Sequence, residues 1–311
     1  MPVLLLETLH PDAEALLAQH DRVILAADES AALDAARRGG ITGILTRGKG
    51  RISRALMQAC GPTLKAVSRA GAGLDTVDLA AARALGVVVI FAPGLNAQTT
   101  AEHAIMLMLM AARRSAWLDA NVKAGRWAVR DGYQGIELDG KTLGVIGLGN
   151  IGSRVAQIGQ AIGMQVIYWS RHARDERFTY RDLDDLLREA DAISLHVALT
   201  EQTRGMIGAR ELALMKPEAI LVNTARGALI DPDALVAALN AGRLGAFAAD
   251  VLAQQPPAAD DPLLRCERVT LTPHVAGLTD RTYREVCLFC VRNVLAVIQG
   301  EQPDLRSVYS G

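Results

Sequence analysis

Short apolar runs alternate with longer segments of helical spacing through the first hundred residues. Runs of this length are typical of buried strands, and the spaced apolar residues between them favour amphipathic helices. An alternation of strand and helix predicts a small parallel α/β unit. The predicted strands are Val3–Glu7, Val23–Ala26, Gly43–Thr46, Leu64–Ser68 and Val87–Phe91.

A second series of apolar runs follows a long apolar segment. That segment predicts a helix from Thr99 to about Leu118, and Thr99-Thr100-Ala101-Glu102 resembles the capping box of a helix start. Helical segments separate most of the later runs, so the chain predicts a second, doubly wound parallel sheet. Its six predicted strands are Leu143–Gly147, Val166–Ser170, Ala192–Val197, Ile220–Thr224, Gly245–Asp250 and Val269–Thr272.

The first strand of the second series ends in a glycine-rich loop. Gly147, Gly149 and Gly152 have G-x-G-x-x-G spacing, and Asn150 and Ile151 lie between them. Such glycines allow a tight turn, a close approach of backbone to a pyrophosphate, and close packing of the next helix. The helix then directs its N-terminal N–H groups at the phosphates. Because strands flank the motif on both sides, the sequence predicts a dinucleotide site.

The domain organisation follows from this assignment. A last helix over Thr279–Gln299 precedes Gly300-Glu-Gln-Pro303, which is too polar to add a strand. We expect the last helix to return to the first unit. The predicted organisation is α/β throughout: a dinucleotide-binding (Rossmann) domain over 99–278 and a smaller, flavodoxin-like substrate domain over 1–98 and 279–311.

Charge and hydropathy indicate a small-molecule partner. The chain has 33 basic and 34 acidic residues and no basic run of the kind that binds nucleic acid or an anionic membrane. Its longest uncharged apolar stretch, Ala104–Ala112, is too short to span a bilayer. We therefore expect a cytoplasmic protein with no nucleic-acid or membrane partner.

The four cysteines do not form a disulfide framework in a chain of this length. Cys287 and Cys290 share one face of the last predicted helix, and no second pair completes a zinc site. Buried structural thiols are the preferred interpretation.

Seven short motifs are spread across nearly the whole chain. They are Arg69-Ala-Gly-Ala-Gly-Leu-Asp-Thr-Val-Asp78, Pro93-Gly-Leu-Asn, Ala101-Glu-His, Leu138-Asp-Gly-Lys-Thr-Leu-Gly, Val222-Asn-Thr-Ala-Arg-Gly227, Ala249-Asp-Val251 and Thr272-Pro-His-Val-Ala-Gly277. Together they resemble the motifs of the D-2-hydroxyacid dehydrogenases. The resemblance implies two domains, a chain that crosses between them twice, and an active site in the cleft. It also implies an oxidoreductase that transfers hydride between a nicotinamide cofactor and a small 2-hydroxy or 2-oxo acid.

The resemblance assigns roles to three polar residues that follow predicted strands. Arg226 is implied to pair with the substrate carboxylate and to polarise the 2-oxo oxygen, a task suited to a bidentate guanidinium. His274 is implied to transfer the proton, since imidazole titrates near neutrality. Asp250 is implied to face the nicotinamide carboxamide. The alternatives are that Arg226 is a solvated charge, that His274 hydrogen-bonds the backbone, and that Asp250 caps a strand.

Gln255 is a departure from the family pattern, which has a glutamate that hydrogen-bonds the catalytic histidine. An amide oxygen can orient the imidazole but cannot stabilise its charged form as a carboxylate does. Asp260 or Asp261 in the same loop could substitute. A non-catalytic dinucleotide-binding sensor or corepressor on the same scaffold is therefore kept as an alternative, because fold alone does not exclude it.

Cofactor selectivity is expected to depend on the end of the second strand. NAD-selective members have an acidic residue there, whereas this chain has Ser170, Arg171 and, close behind, Arg174. No carboxylate is present there to repel the 2′-phosphate of NADP(H), and Arg171 could form charge-assisted hydrogen bonds to that phosphate. NADP(H) is favoured and NAD(H) remains possible, the alternative being solvated charges balanced by Asp175 and Glu176.

Substrate choice is expected to depend on the first domain. Ala72 and Gly73 belong to a small-residue turn whose N–H groups could hold the substrate carboxylate, with a plain tight turn as the alternative. Arg47 and Arg69 resemble the arginines that meet the substrate phosphate in phosphoglycerate dehydrogenases. A substrate with a second anionic end is the first expectation, and hydroxypyruvate or glyoxylate the second. The resemblance also implies a homodimer that packs through the cofactor domain.

Overall fold

The computed structural model describes residues 2–20 and 22–310, which form two compact units. One unit comprises Met1–Asn96 and Gly277–Gly311, and the other comprises Ala97–Ala276. The chain passes from one unit to the other after residues 96 and 276, whereas the sequence predicted the domain boundaries after residues 98 and 278. Which unit binds substrate and which binds cofactor remains a prediction.

The first unit is a five-stranded parallel sheet in the order β2-β1-β3-β4-β5, the flavodoxin-like order that the sequence predicted. Helices cover both faces of this sheet. Val3 and Leu5 of β1 are buried on the face that packs on α1 and α11, and Leu4 is buried on the face that packs on α2, α3 and α4. The strands are β1 (Val3–Leu5), β2 (Val23–Leu25), β3 (Gly43–Thr46), β4 (Ala66–Arg69) and β5 (Val88–Ile90), and the helices are α1 (Pro11–His20), α2 (Glu29–Arg37), α3 (Arg54–Cys60), α4 (Leu79–Leu85) and α11 (Asp280–Gln299).

The second unit is a seven-stranded parallel sheet in the doubly wound order β12-β11-β10-β9-β6-β7-β8. Its strands are β6 (Thr142–Ile146), β7 (Gln165–Trp169), β8 (Thr179–Tyr180), β9 (Ala192–Leu195), β10 (Ile220–Asn223), β11 (Ala246–Ala249) and β12 (Val269–Leu271). Its helices are α5 (Ala97–Arg113), α6 (Ser115–Lys123), α7 (Gly152–Ala161), α8 (Leu183–Glu189), α9 (Ala209–Leu214) and α10 (Pro232–Asn240). The predicted α/β fold class is confirmed, with β8 as an additional strand.

The long helix predicted from Thr99 to Leu118 is wrong at both ends. Helix α5 begins at Ala97, so Thr99 is buried inside it and does not cap it. The helix is interrupted at Arg114, whose φ of 47° lies in the left-handed region. The Arg114 guanidinium lies 4.3 Å from the centroid of the Trp117 ring, a contact made across this break.

The last helix begins where the sequence predicted. The Thr279 hydroxyl oxygen accepts a hydrogen bond from the Thr282 N–H at 3.3 Å and caps α11. Cys287 and Cys290 are buried free thiols, as expected, and burial raises the pKa of Cys290 to about 12. After the helix, Val308 pairs antiparallel with Ile90 and covers the exposed edge of β5.

A search of the helices in the described ranges finds no segment with the length and hydropathy needed to cross a membrane. The cytoplasmic location remains a prediction from the sequence.

Candidate active site

The glycine-rich loop joins β6 to α7, and two of its three glycines are required by packing. At Gly147 φ is +98°, and an added Cβ would lie 2.7 Å from the His196 carbonyl carbon and oxygen. A Cβ on Gly152 would lie 1.9 Å from the Gly147 oxygen, so α7 could not pack this close to β6. A Cβ on Gly149 would meet nothing within 4 Å. The space above Gly149 is therefore open, which fits the close approach of a pyrophosphate.

The end of β7 carries the residues predicted to distinguish the cofactors. The buried Ser170 accepts a hydrogen bond from the Ala173 N–H at 3.2 Å and shapes the turn. Arg174 donates to the Ser170 carbonyl oxygen at 2.9 Å and stacks on Tyr180, so it supports the loop from within. Arg171 is exposed at the tip.

One of the two acidic residues that could balance Arg171 is engaged elsewhere. Asp175 accepts hydrogen bonds from the Arg177 side chain at 2.6 to 3.1 Å. These bonds and the backbone N–H of Arg177 lower the pKa of Asp175 to about 2. Glu176 is exposed beside it, so the alternative of solvated, balanced charges stays open.

His274 and Gln255 are in direct contact. The Gln255 Oε1 atom lies 2.8 Å from the His274 Nδ1 atom, and the Gln255 Nε2 group donates to the Leu252 carbonyl oxygen at 3.0 Å. The second bond fixes the orientation of the amide, because only its nitrogen can donate to a carbonyl. Its oxygen must then face the imidazole, and Nδ1 must carry a proton. Nε2 is consequently the nitrogen that gains and loses a proton.

The turn that carries His274 is held by Asp250. The φ of His274 is 58°, a left-handed conformation that a non-glycine residue adopts at a cost of about 1 kcal/mol. Its N–H donates to the Asp250 carbonyl oxygen at 2.9 Å. The Asp250 carboxylate accepts from the N–H groups of Val275 at 2.9 Å and Ala276 at 2.8 Å. These bonds offset the backbone strain and fix the position of the histidine.

A second histidine, which we did not predict as a site residue, completes this arrangement. The His103 Nε2 atom lies 2.8 Å from the Thr272 hydroxyl oxygen, and that hydroxyl donates to Asp250 at 2.6 Å. Burial opposes ionisation of Asp250, but hydrogen bonds from His103, Thr272 and the turn lower its pKa below the usual range. Asp250 is thus a buried, charged anchor. Its predicted contact with the nicotinamide remains a prediction.

Arg226 follows β10 in a loop shaped by a buried amide. The Asn223 Nδ2 group donates to the Arg226 carbonyl oxygen at 2.9 Å, and Asn223 Oδ1 accepts from the Ala225 N–H at 3.0 Å. A Cβ on Gly227 would lie 2.0 Å from the Leu252 carbonyl carbon, so glycine is required there. Arg226, Asp250 and His274 follow the neighbouring strands β10, β11 and β12 at the edge where ligands bind in open α/β sheets.

His196 is half-buried, with its Nδ1 atom out of contact with solvent, and it is uncharged at neutral pH. Its Nε2 atom lies 2.8 Å from the Ser194 hydroxyl oxygen, and burial lowers its pKa to about 3. A histidine with this pKa does not carry a proton near pH 7, which agrees with its omission from the predicted catalytic residues.

Two predicted substrate residues of the first unit lie after β4. A Cβ on Gly71 would lie 1.9 Å from the Arg69 Nη1 atom, so the absence of a side chain there leaves room for the guanidinium. Ala72 and Gly73 are half-buried in the same loop. Their contacts with the substrate remain predictions.

Arg47 has a partner inside the first unit, and its predicted contact with a substrate phosphate remains a prediction. The Arg47 Nη2 atom lies 3.1 Å from the Glu7 Oε2 atom, and the guanidinium carbon lies 5.1 Å from the centroid of the Tyr283 ring. Glu7 was not predicted, because nothing local in the sequence connects it with a residue forty positions later.

Comparison with known proteins shows the family of the chain. A family model described as "D-isomer specific 2-hydroxyacid dehydrogenase, NAD binding domain" matches residues 105–276. A glyoxylate reductase of Aeropyrum pernix is 44% identical over 253 residues, which cover 78% of this chain and 76% of that protein. A D-3-phosphoglycerate dehydrogenase of Archaeoglobus fulgidus is 40% identical over 262 residues, 83% of this chain and 49% of that protein. The chain thus spans about half the length of that dehydrogenase.

Solved structures extend the likeness to the whole fold. A glyoxylate reductase from Paecilomyes thermophila has a TM-score of 0.88 at 31% identity, covering 100% of this chain and 98% of that chain. A D-lactate dehydrogenase from Aquifex aeolicus, complexed with NAD and lactic acid, has a TM-score of 0.89 at 26% identity, covering 100% and 99%. The chain belongs to the D-isomer specific 2-hydroxyacid dehydrogenases, a family of nicotinamide-dependent oxidoreductases.

Proposed function

We propose that the protein interconverts small 2-oxo acids and D-2-hydroxy acids with a nicotinamide dinucleotide as the hydride carrier. The observation that carries this proposal is the fixed tautomer of His274. With Nδ1 bonded to Gln255, Nε2 is the proton-exchanging atom, and the Asp250 turn holds it in place. A noncatalytic sensor needs the glycine loop but has no need of this arrangement.

The residues divide the chemistry between them. Gly147, Gly149, Gly152 and the start of α7 would hold the pyrophosphate, and the bound dinucleotide supplies or accepts the hydride. Arg226 pairs with the substrate carboxylate and polarises the 2-oxo oxygen. The His274 Nε2–H gives its proton to that oxygen as the 2-hydroxy acid forms, and the neutral imidazole accepts it again in the reverse direction.

The test is a steady-state assay with glyoxylate, hydroxypyruvate and phosphohydroxypyruvate, each with NADH and NADPH. We expect oxidation of the cofactor with at least one of these acids. Tight cofactor binding without oxidation by any of them would instead support the sensor alternative.

Cofactor preference is proposed to depend on Arg171, with NADP(H) favoured over NAD(H). We expect Arg171→Ala to lower kcat/KM for NADPH about tenfold or more, the effect of losing one charge-assisted hydrogen bond to the 2′-phosphate. The value for NADH is expected to change much less. The comparison uses subsaturating cofactor, with Arg188→Ala on α8 as a charge-matched control. A wild-type preference for NADH, or equal losses with both cofactors, would contradict the proposal.

A homodimer is proposed to form through α5. Met106 is 38% and Leu109 is 42% exposed on this helix, and they line an apolar groove with Ile105, Met110 and Ile158. We expect Leu109→Glu to shift the mass measured by light scattering after gel filtration from that of a dimer to that of a monomer. Leu305→Glu, which changes a more exposed leucine of the other unit, serves as the control. A monomeric wild type would contradict this proposal.

A further inference from the structure

One carboxylate oxygen in the first unit collects four hydrogen-bond donors. The Glu7 Oε1 atom accepts from the Thr46 hydroxyl and from the backbone N–H groups of Arg47, Gly48 and Lys49, at 2.7 to 2.8 Å. The second oxygen, Oε2, pairs with the Arg47 guanidinium at 3.1 Å. Glu7 therefore occupies the centre of the loop that follows β3.

This loop has the properties of an anion site. Three successive N–H groups that converge on one point form a backbone nest, an arrangement that binds phosphate in many proteins. Gly48 allows the required backbone, since its φ is +148°. Burial opposes ionisation of Glu7, but the donors of Lys49, Thr46 and Arg47 lower the pKa of its carboxyl. The nest is thus filled by a charged group of the chain itself.

Two arginine side chains lie at this loop. The Arg47 Nε group is buried and has no hydrogen-bond partner within residues 2–20 and 22–310. The Arg69 guanidinium lies beside the same loop, because a Cβ on Gly48 would be 3.4 Å from its Nη2 atom. Glu7 and the loop follow β1 and β3, and Arg69 is the last residue of the adjacent strand β4, at the sheet edge where ligands bind in open α/β folds.

We propose that Glu7 is a specificity-determining residue, whose carboxylate occupies the anion site that a substrate phosphate would use. An anionic group on a substrate would meet a filled nest and a like charge, so the enzyme acts on 2-oxo acids without a second anionic end. Glyoxylate and hydroxypyruvate fit this description, and phosphohydroxypyruvate does not. The inference rests on the proposed function for its substrate class, and it reverses the order of substrates expected from the sequence.

The first test measures anion binding without any reaction. The whole chain is titrated with inorganic phosphate in a calorimeter. We expect no saturable binding to the wild type up to about 10 mM phosphate, a concentration on the order of the Kd of a weak site. Glu7→Gln and Glu7→Ala are expected to bind phosphate in the millimolar range. Adding Arg47→Ala to either variant is expected to remove that binding. Glu29→Gln, an exposed change of equal charge in the same unit, serves as the control.

The second test compares two substrates that differ only by a phosphate. In the wild type we expect kcat/KM for hydroxypyruvate to exceed that for phosphohydroxypyruvate. In Glu7→Gln the ratio is expected to move at least about tenfold towards the phosphorylated acid, because its phosphate can then form a charge-assisted hydrogen bond and no longer faces a like charge. Glu29→Gln is expected to leave the ratio unchanged.

The outcomes separate the inference from the function on which it rests. A wild type that prefers phosphohydroxypyruvate overturns the inference without any variant. Folded Glu7 variants, judged by their thermal unfolding, that neither bind phosphate nor change the ratio would show that Glu7 only shapes the loop. If no 2-oxo acid is reduced by any form, the proposed function fails, and the phosphate titration still decides whether Glu7 fills an anion site.

Discussion

Replacing His274 with asparagine is expected to lower kcat for 2-oxo acid reduction about 10²–10⁴-fold, the range typical for loss of a general acid. Asparagine can keep a hydrogen bond to Gln255 and, among non-glycine residues, tolerates the left-handed backbone at this position. The variant therefore removes the exchangeable proton with little change to the turn. Stopped assays at saturating substrate and cofactor would measure the loss.

A matched control and two binding measurements distinguish lost chemistry from lost structure. His20→Asn changes an exposed histidine at the end of α1 and is expected to keep full activity. In His274→Asn the Kd of the cofactor is expected to stay within about threefold of the wild-type value, since the glycine loop is unchanged. A variant that keeps more than a tenth of the wild-type kcat would assign the proton to another donor.

The parts of the fold that could be predicted are those encoded by neighbouring residues. The glycine loop is an example, because its G-x-G-x-x-G spacing is local and the contact that requires Gly152 is with Gly147 in the same loop. The contact that requires Gly147 is with His196, which follows β9, and no local pattern reports it. Most central strands were predictable for a similar reason, since they are short, mainly apolar runs whose residues are all buried: β1, β3, β9, β10 and β11. Strand β8 was missed because it has two residues, both exposed, and no apolar pattern.

The break in the helix after Arg113 could not be predicted from periodicity. Apolar residues continue at helical spacing through Ala116 and Leu118, yet the chain turns at Arg114. The guanidinium of Arg114 there contacts Trp117 and, at 3.3 Å, Glu267. The last contact joins residues 153 positions apart, which no local pattern reports.

The candidate site shows the same division. Arg226 and His274 were predicted through motifs that match a family, and Gln255 through a departure from its pattern; the structure then supplied the 2.8 Å contact between Gln255 and His274. His103 and Glu7 were missed because their roles arise from side-chain contacts across the fold. His103 meets Thr272 across 169 positions, and Glu7 reaches the loop 40 to 42 positions later. His103 lies in the Ala101-Glu-His motif and Glu7 in no motif, but in both cases only the packed structure identifies the partners.

The buried carboxylate of Asp250 links the fold to the chemistry. Its two oxygens bind the turn of His274, and its charge is retained through four donors, from His103, Thr272, Val275 and Ala276. A carboxylate held in this way keeps its charge as the pH falls through the range in which imidazole titrates. The position of the histidine should therefore stay constant while its own protonation changes.

We expect Gln255, which contacts His274, to set how far the protonation of the imidazole extends towards alkaline pH. An imidazole has an ordinary pKa of about 6.5, so only about one tenth of it is protonated at pH 7.5. Reduction of a 2-oxo acid requires the protonated form, and the amide of Gln255 adds no negative charge to stabilise it. We expect reduction by the wild type to be fastest at mildly acidic pH and to fall as His274 loses its proton.

Gln255→Glu is expected to move the alkaline limb of that profile upward by about one unit, the low end of the range for a carboxylate neighbour because this pair is exposed to solvent. The sign follows from the contact: a carboxylate at the position of Oε1 favours the charged imidazolium, raises its pKa and extends its action as an acid. At pH 7.5 the protonated fraction, and with it the reduction rate, should rise about fivefold. Oxidation of the hydroxy acid needs the neutral imidazole, so its acidic limb should move upward by the same amount and its rate near pH 7 should fall.

Gln254→Glu, which adds the same charge at the adjacent exposed position, controls for effects at a distance. An unchanged limb in Gln255→Glu, or an equal shift in Gln254→Glu, would mean that the hydrogen bond between positions 255 and 274 does not control the catalytic proton.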